Sequence, residues 1–145
     1  MVMTLPELAG QASPEAVDLA RAVLEQDIAD RDWGAQLGPV LSQRDVARLL
    51  GRTEQAVSKD RRLLRLVNRD GRPVYPVVQF DGRRQLPGIA DVVSVLVPVV
   101  SPLTVAGWLT AQHGGVRRRP IDALRDGETA GVVELARRFA DRAGR

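Results

Sequence analysis

Apolar residues recur along most of this chain at the three-to-four-residue spacing of amphipathic helices, and the stretch 64–86 departs from that period. Val17, Ala20, Val23/Leu24 and Asp27/Ile28 carry a helix to about residue 33. Its start is written in Ser13-Pro14-Glu15: a capping serine, a proline at the first helical position and an acid in the first turn. Gly34 and the pair Gly38-Pro39 end it, and residues 1–13 ahead of it read as a loose leader. Ser42 and Asp45 resemble a capping box with an acid in place of the usual Glu or Gln. Val46, Leu49 and Leu50 then supply an apolar stripe that Gly51 closes. Thr53 caps a second helix through Gln55, Ala56, Val57, Ser58 and Lys59 to about Leu64.

Residues 64–86 are β-rich. Asp70-Gly71 between apolar flanks predicts a hairpin, and Asp81-Gly82 follows Phe80. Pro73 and Pro76 predict that the second strand lies at a sheet edge. The whole reads as a small wing. Helical periodicity returns with Gly88–Val97, stopped by Pro98. Ser101-Pro102 opens a helix through Val105, Trp108 and Leu109, broken at His113-Gly114-Gly115. Arg119-Pro120 opens a short helix through Ile121 and Leu124. The last helix runs from Glu128 to about Asp141, with Val132, Val133, Leu135, Ala136 and Phe139 as its apolar face. The expected fold is mainly α with a small β-wing: a winged helix-turn-helix followed by a small helical C-terminal domain. The expected divisions are an acidic leader and helix at 1–40, the helix-turn-helix with its wing at 41–87, and the C-terminal domain at 88–145.

Composition narrows the chemistry. The absence of cysteine excludes a disulfide framework, a cysteine nucleophile and thiolate-held metals. A single histidine, His113, excludes most histidine metal sites and leaves little for a catalytic triad; its place after a helix and before two glycines suits a helix C-terminus or a loop. No glycine-rich loop carries a phosphate-binding Lys-Ser/Thr pair. The expectation is therefore a protein without enzymatic activity, cofactor or metal. The longest apolar run, Ile89–Val100, is interrupted by Asp91, Ser94 and Pro98 and falls short of the roughly 18–20 residues that span a bilayer. The N-terminus lacks the basic-then-apolar order of a signal peptide, so a cytoplasmic location away from membranes is expected.

Charge is divided unevenly. Residues 1–40 hold seven acids and two bases, a balance of −5. Residues 41–85 hold eleven bases and five acids, +6, and residues 86–145 hold eight bases and six acids, +2. Every base but Lys59 is arginine, whose planar fork suits phosphate and guanine. The basic middle coincides with the segment Leu41–Arg62. There Val46, Ala47 and Leu50 face inward on a first helix, Gly51 permits a left-handed turn, and Ala56 and Val57 anchor a second. Arg52, Thr53, Gln55, Ser58, Lys59 and Arg62 are left outward, with Gln and Arg suited to base edges and Ser, Thr and Lys to phosphates. In such a motif the second helix enters the major groove of double-stranded DNA. Arg69, Arg72, Arg83 and Arg84 would add contacts from the wing. One such module covers half a site, so a homodimer is expected. The competing reading is a plain helical hairpin with a solvated basic face.

The C-terminal third adds a further expectation. Trp108-Leu109-Thr110, then Gly114-Gly115-Val116-Arg117-Arg118-Arg119-Pro120-Ile121-Asp122-Ala123-Leu124-Arg125-Asp126-Gly127 and a Val-Val helix, resembles the toxin-binding domain of Xre/MbcA/ParS-type antitoxins. Together with the helix-turn-helix the resemblance spans about residues 41–140. It implies an antitoxin that represses its own operon and neutralises a RES-domain toxin through its C-terminal segment. By motif match, Trp108, Leu109, Gly114, Gly115, Pro120, Ile121 and Leu124 would shape that domain, and Arg117, Arg118 and Arg119 would meet the partner. The chain departs from the pattern where an Asn-Pro-x-Leu-Gly-type loop is usual, carrying Ala111-Gln112-His113 instead. The alternative function is a stand-alone DNA-binding regulator or nucleoid-associated protein.

Overall fold

The computed structural model describes residues 2–113 and 118–144, with the side chains of Gln26 and of residues 28–36 outside that description. The chain is mainly helical with a small antiparallel sheet. It divides into two compact units, residues 1–35 and 36–145. Among the described residues, no helix is long and apolar enough to cross a membrane.

In the first unit, helix α1 spans Leu5–Gln11 and helix α2 begins at Pro14 and runs to Leu37. The expected loose leader is thus largely a helix. Thr4 and Glu7 form a capping box: Glu7 N donates to Thr4 Oγ1 at 3.4 Å and Thr4 N to Glu7 Oε2 at 3.0 Å. Ser13 caps α2 as expected, accepting from Ala16 N at 3.2 Å. The helix continues through Gly34 and stops before Gly38, whose φ is +81°. Leu5, Leu8, Leu19, Val23 and Leu24 are all exposed in this unit.

The second unit opens with strand β1 (Val40–Ser42), then helices α3 (Gln43–Leu50) and α4 (Glu54–Lys59). Strands β2 (Leu66–Val67) and β3 (Pro73–Pro76) follow, with a single 3-10 turn at Val77–Gln79 and a small hairpin of β4 (Phe80–Asp81) and β5 (Arg84–Gln85). Strand β3 is the centre of a three-stranded antiparallel sheet, flanked by β1 and β2. Its prolines had predicted an edge. The strand is only four residues long, so Pro73 and Pro76 stand at its two ends; between them Val74 pairs with both Ser42 and Leu66, and Tyr75 pairs with Leu41. Strand β1 carries no period-two signature, because three residues are too few to show one.

Helices α5 (Ile89–Leu96), α6 (Pro102–Thr110), α7 (Pro120–Arg125) and α8 (Thr129–Ala143) complete the unit. Ser101 caps α6, accepting from Thr104 N at 3.2 Å. Helix α5 packs on α8, and α7 on both α6 and α8. Ile89, Val92, Leu96, Val105, Leu109, Ile121, Leu124, Val132 and Ala136 are buried. Gly88 precedes α5 at φ +95°, where a Cβ would stand 2.6 Å from Leu124 Cδ2 and 2.9 Å from Thr129 Cγ2. The hairpin expected at Asp70-Gly71 joins β2 to β3, and Asp81-Gly82 lies at the β4–β5 turn, with Gly71 at φ +77° and Gly82 at φ +62°.

Candidate nucleic-acid interface

Helices α3 and α4 are joined by a turn that their own backbone specifies. Gly51 sits in the left-handed region at φ +64°, and Arg52 N donates to Ala47 O at 2.9 Å, the closing bond of a glycine-capped helix. Ser42 Oγ accepts from Asp45 N at 3.1 Å at the start of α3, and Thr53 Oγ1 from Ala56 N at 3.1 Å at the start of α4. Val46, Ala47, Val57, Leu63 and Tyr75 form one buried cluster, with Leu41, Leu50 and Phe80 packed against it. The two helices are therefore held by side chains facing inward at the positions the periodicity marks.

The opposite face of α4 is open. Gln55, Ser58 and Lys59 are exposed, and their i, i+3, i+4 spacing puts them on one side of the helix. Thr53 is spent on its cap. Helix α4 ends at Lys59, five residues before the expected Leu64, because Asp60 turns the chain out of the helix. Arg62 is consequently not on the helix. It lies in the following turn, gripped by Asp60: Arg62 Nε and Nη2 donate to the two carboxylate oxygens at 3.0 Å each, and Arg62 N donates to Oδ1 at 3.0 Å. Arg52 reaches the same carboxylate, Nη1 to Oδ2 at 2.6 Å. The Asp60 side chain is 6% exposed. The hydrogen bonds from Arg62, with those from Arg52 and against the cost of burial, hold its carboxyl far below the usual carboxylate range.

Arg52 and Arg62 share a cleft of about 250 Å³ with Arg83 and Arg84, lined also by Leu50, Asp60, Leu63 and Gln85. Gln85 ties the β4–β5 hairpin to this spot by donating from Nε2 to Arg62 O at 2.6 Å. Arg84 stands 3.8 Å from Asp81, and Arg83 sits at the exposed turn between the strands. Arg69 and Arg72 belong to a different loop, between β2 and β3. There Asn68 Oδ1 accepts from Asp70 N at 3.0 Å and Arg72 N at 2.9 Å, which fixes the loop that carries them. The predicted basic residues thus fall into three groups: the face of α4, the Asp60 cleft and the β2–β3 loop.

Sequence reasoning missed Asp60 and Gln79. Gln79 is fully buried and bonds both backbone groups of Leu64, fixing the segment after α4. A lone acid between Lys59 and Arg61-Arg62, directly after a helix, is the signal that pointed to Asp60. Gln79 offers no comparable signal.

The residues expected to meet a protein partner lie elsewhere. Trp108, Ile121 and Leu124 are buried, as is Pro120, and Trp108 packs on Phe139 with ring centres 6.2 Å apart. They are core of the α5–α8 cluster. Arg118 and Arg119, expected to point outward freely, are partly buried and engaged. Arg118 bonds Asp126, Glu128 at 3.2 Å and Asp122 O at 3.1 Å; Arg119 grips Asp122 at 2.8 and 3.0 Å. The reason is local: α7 is short and closely flanked by acids, so the arginines preceding it clamp its ends. Arg119 in turn holds the Asp122 carboxyl below its ordinary range. Gly114, Gly115 and Arg117 lie outside the described residues. His113 Nε2 lies 2.7 Å from Trp108 O in the last turn of α6 and the ring stacks on the indole, a helix-terminating role.

The sequence matches no family model and no curated protein. Among solved structures, the chain is similar to that of Rv2175c, determined by NMR, with a TM-score of 0.57 and 24% sequence identity over 70% of this chain and 81% of that one. The likeness is one of fold: a mainly helical chain with a small antiparallel sheet.

Proposed function

We propose that this chain is a sequence-specific binder of double-stranded DNA, built as a winged helix-turn-helix with a helical C-terminal domain, and that it acts as an antitoxin and autorepressor. One observation carries the DNA reading. Helix α4 buries Val57 while exposing Gln55, Ser58 and Lys59 on one side, within the segment of charge +6 and beside a cleft lined by four arginines. A solvated helical hairpin needs no such gathering of donors suited to base edges and phosphates. Arg69 and Arg72 on the β2–β3 loop, with Arg83 and Arg84 on the β4–β5 hairpin, give the wing its contacts. Binding as a homodimer to paired half-sites, without enzymatic activity or cofactor and in the cytoplasm, belongs to the same proposal. The test is fluorescence anisotropy with labelled duplex over a salt series. Affinity falling steeply and linearly on a log–log plot supports the reading, and affinity indifferent to salt removes it.

In the antitoxin part of the proposal, the C-terminal helices serve a RES-domain toxin. The second reading, a stand-alone regulator, is favoured by a specific observation: Trp108, Ile121 and Leu124 are interior residues and Arg118 and Arg119 are engaged within the chain. A nuclease-treated pull-down from native lysate separates the two. A stoichiometric RES-type partner supports the antitoxin, and its absence alongside retained operator binding supports the regulator.

A further inference from the structure

Arginine has five N–H donors in a rigid plane. In Arg62, Nε and one donor of Nη2 are occupied by Asp60, at 3.0 Å each. The carboxylate that holds them is nearly inaccessible, whereas the Arg62 side chain is 71% exposed. The pairing fixes the plane of the guanidinium and leaves its outer end, formed by Nη1 and the second N–H of Nη2, as a two-donor fork facing solvent. Asp60 also offsets part of the positive charge of Arg52 and Arg62. Such a group is less suited to a phosphate, which rewards charge, than to a neutral pair of acceptors that rewards geometry. Guanine O6 and N7 in the major groove are that pair.

We propose that Arg62 reads a guanine of the bound duplex and that Asp60 is its positioning residue. The inference rests on the DNA-binding reading above and names the base that reading leaves open. Arg83 and Arg84 line the same cleft without a comparable brace and are left for the adjoining phosphates. Arg52 is held on the inner side of the same carboxylate, with its Nη2 3.5 Å from Ala56 O, and serves to keep Asp60 in place.

The experiment selects a site for the full-length protein from a randomised duplex pool. Each guanine of that site is then replaced by its deaza analogue, which lacks the N7 acceptor. One such replacement is expected to weaken the wild-type protein on the order of tenfold, the size of a bidentate base contact. The same replacement is expected to leave Arg62→Ala and Arg62→Lys unaffected, because neither retains the fork. Asp60→Asn is expected to lose the discrimination while keeping Arg62 and the salt slope. Circular dichroism melts of each variant report folding separately, and Arg62→Lys tests the fork with Asp60 in place. Uniform weakening by Arg62→Ala across all sequences, with a salt slope shallower by about one, would make Arg62 a phosphate contact and overturn the inference. Full discrimination in Asp60→Asn overturns the positioning role. Selective binding that ignores Arg62 removes this inference alone, and absence of any duplex binding by the wild type removes the DNA reading with it.

Discussion

Gln79 bonds Leu64 through both backbone groups at once: its Oε1 accepts from Leu64 N and its Nε2 donates to Leu64 O, each at 2.8 Å. The amide thereby takes the place of a missing strand partner for a segment that follows α4 and precedes β2. Both residues are buried, so neither backbone group of Leu64 has water as an alternative. Replacing Gln79 by Leu strands a buried N–H and a buried C=O. The expected cost is about 2–4 kcal/mol from two unsatisfied groups, read as a lower urea midpoint at unchanged slope. A loss under about 0.5 kcal/mol would mean that the segment finds other partners.

Gly88 is fixed by two independent constraints. Its φ of +95° is strained for any L side chain, and an added Cβ would meet Leu124 Cδ2 at 2.6 Å and Thr129 Cγ2 at 2.9 Å. Leu124 is a core residue and cannot retreat freely. Gly88→Ala is expected to destabilise by about 2–4 kcal/mol, from backbone strain and overpacking together. Gly107→Ala, in helix α6, meets nothing within 4 Å and gains helix propensity, so it is expected to leave the melting temperature equal or higher. Equal melting losses in the two variants would refute the steric argument.

These two sites also mark what was legible in the sequence. Elements announced by local chemistry are where expected: the Ser13 and Ser101 caps, the Gly51 turn, and the Asp-Gly turns at Gly71 and Gly82. The inward side chains of α3 and α4 follow from periodicity alone. The departures share a cause of another kind, since each is set by a particular partner that periodicity does not report, whether a distant strand or a nearby carboxylate. Strand β3 is central because β1, thirty-odd residues earlier, supplies its second neighbour. Helix α4 ends early because Asp60 is drawn to Arg52 and Arg62. Arg118 and Arg119 are spent on α7 although a run of arginines looks solvated. Helix α1 is the exception, because its Thr4-Pro6-Glu7 signature is local.

Acid should test the Asp60 clamp directly. Its folded-state pKa lies far below the ordinary aspartate value near 4, so the unfolded chain takes up that proton first as pH falls. The stabilisation is complete above about pH 5 and is lost progressively as the pH drops through 4 toward the folded-state value. Asp122 shifts in the same direction through Arg119, which adds to the effect. Allowing for the exposure of Arg62, the Asp60 share is on the order of 2 kcal/mol. Asp60→Asn is expected to be less stable at neutral pH and to show a shallower decline between pH 5 and 2. Parallel stability–pH curves for wild type and variant would refute the assignment.

The exposed face of α4 gives the most direct separation of base reading from phosphate attraction. Gln55 and Lys59 are one turn apart and both open to solvent, and neither takes part in the core that Ala47 and Val57 build. Substitution at either is therefore expected to leave stability within about 0.5 kcal/mol of wild type. Their effects on the DNA proposed as ligand should differ in kind. A glutamine amide matches an adenine edge, so Gln55→Ala should weaken a preferred duplex by about 1–3 kcal/mol and weaken scrambled sequence far less. Lys59 carries charge without a planar fork, so Lys59→Ala should lower affinity for both alike and reduce the salt slope by about one. Anisotropy titrations at several salt concentrations, on preferred and scrambled duplexes, read both quantities. If both variants bind both duplexes as the wild type does, α4 is not the helix that meets DNA, and the arginine cleft or the β2–β3 loop must carry the contact instead.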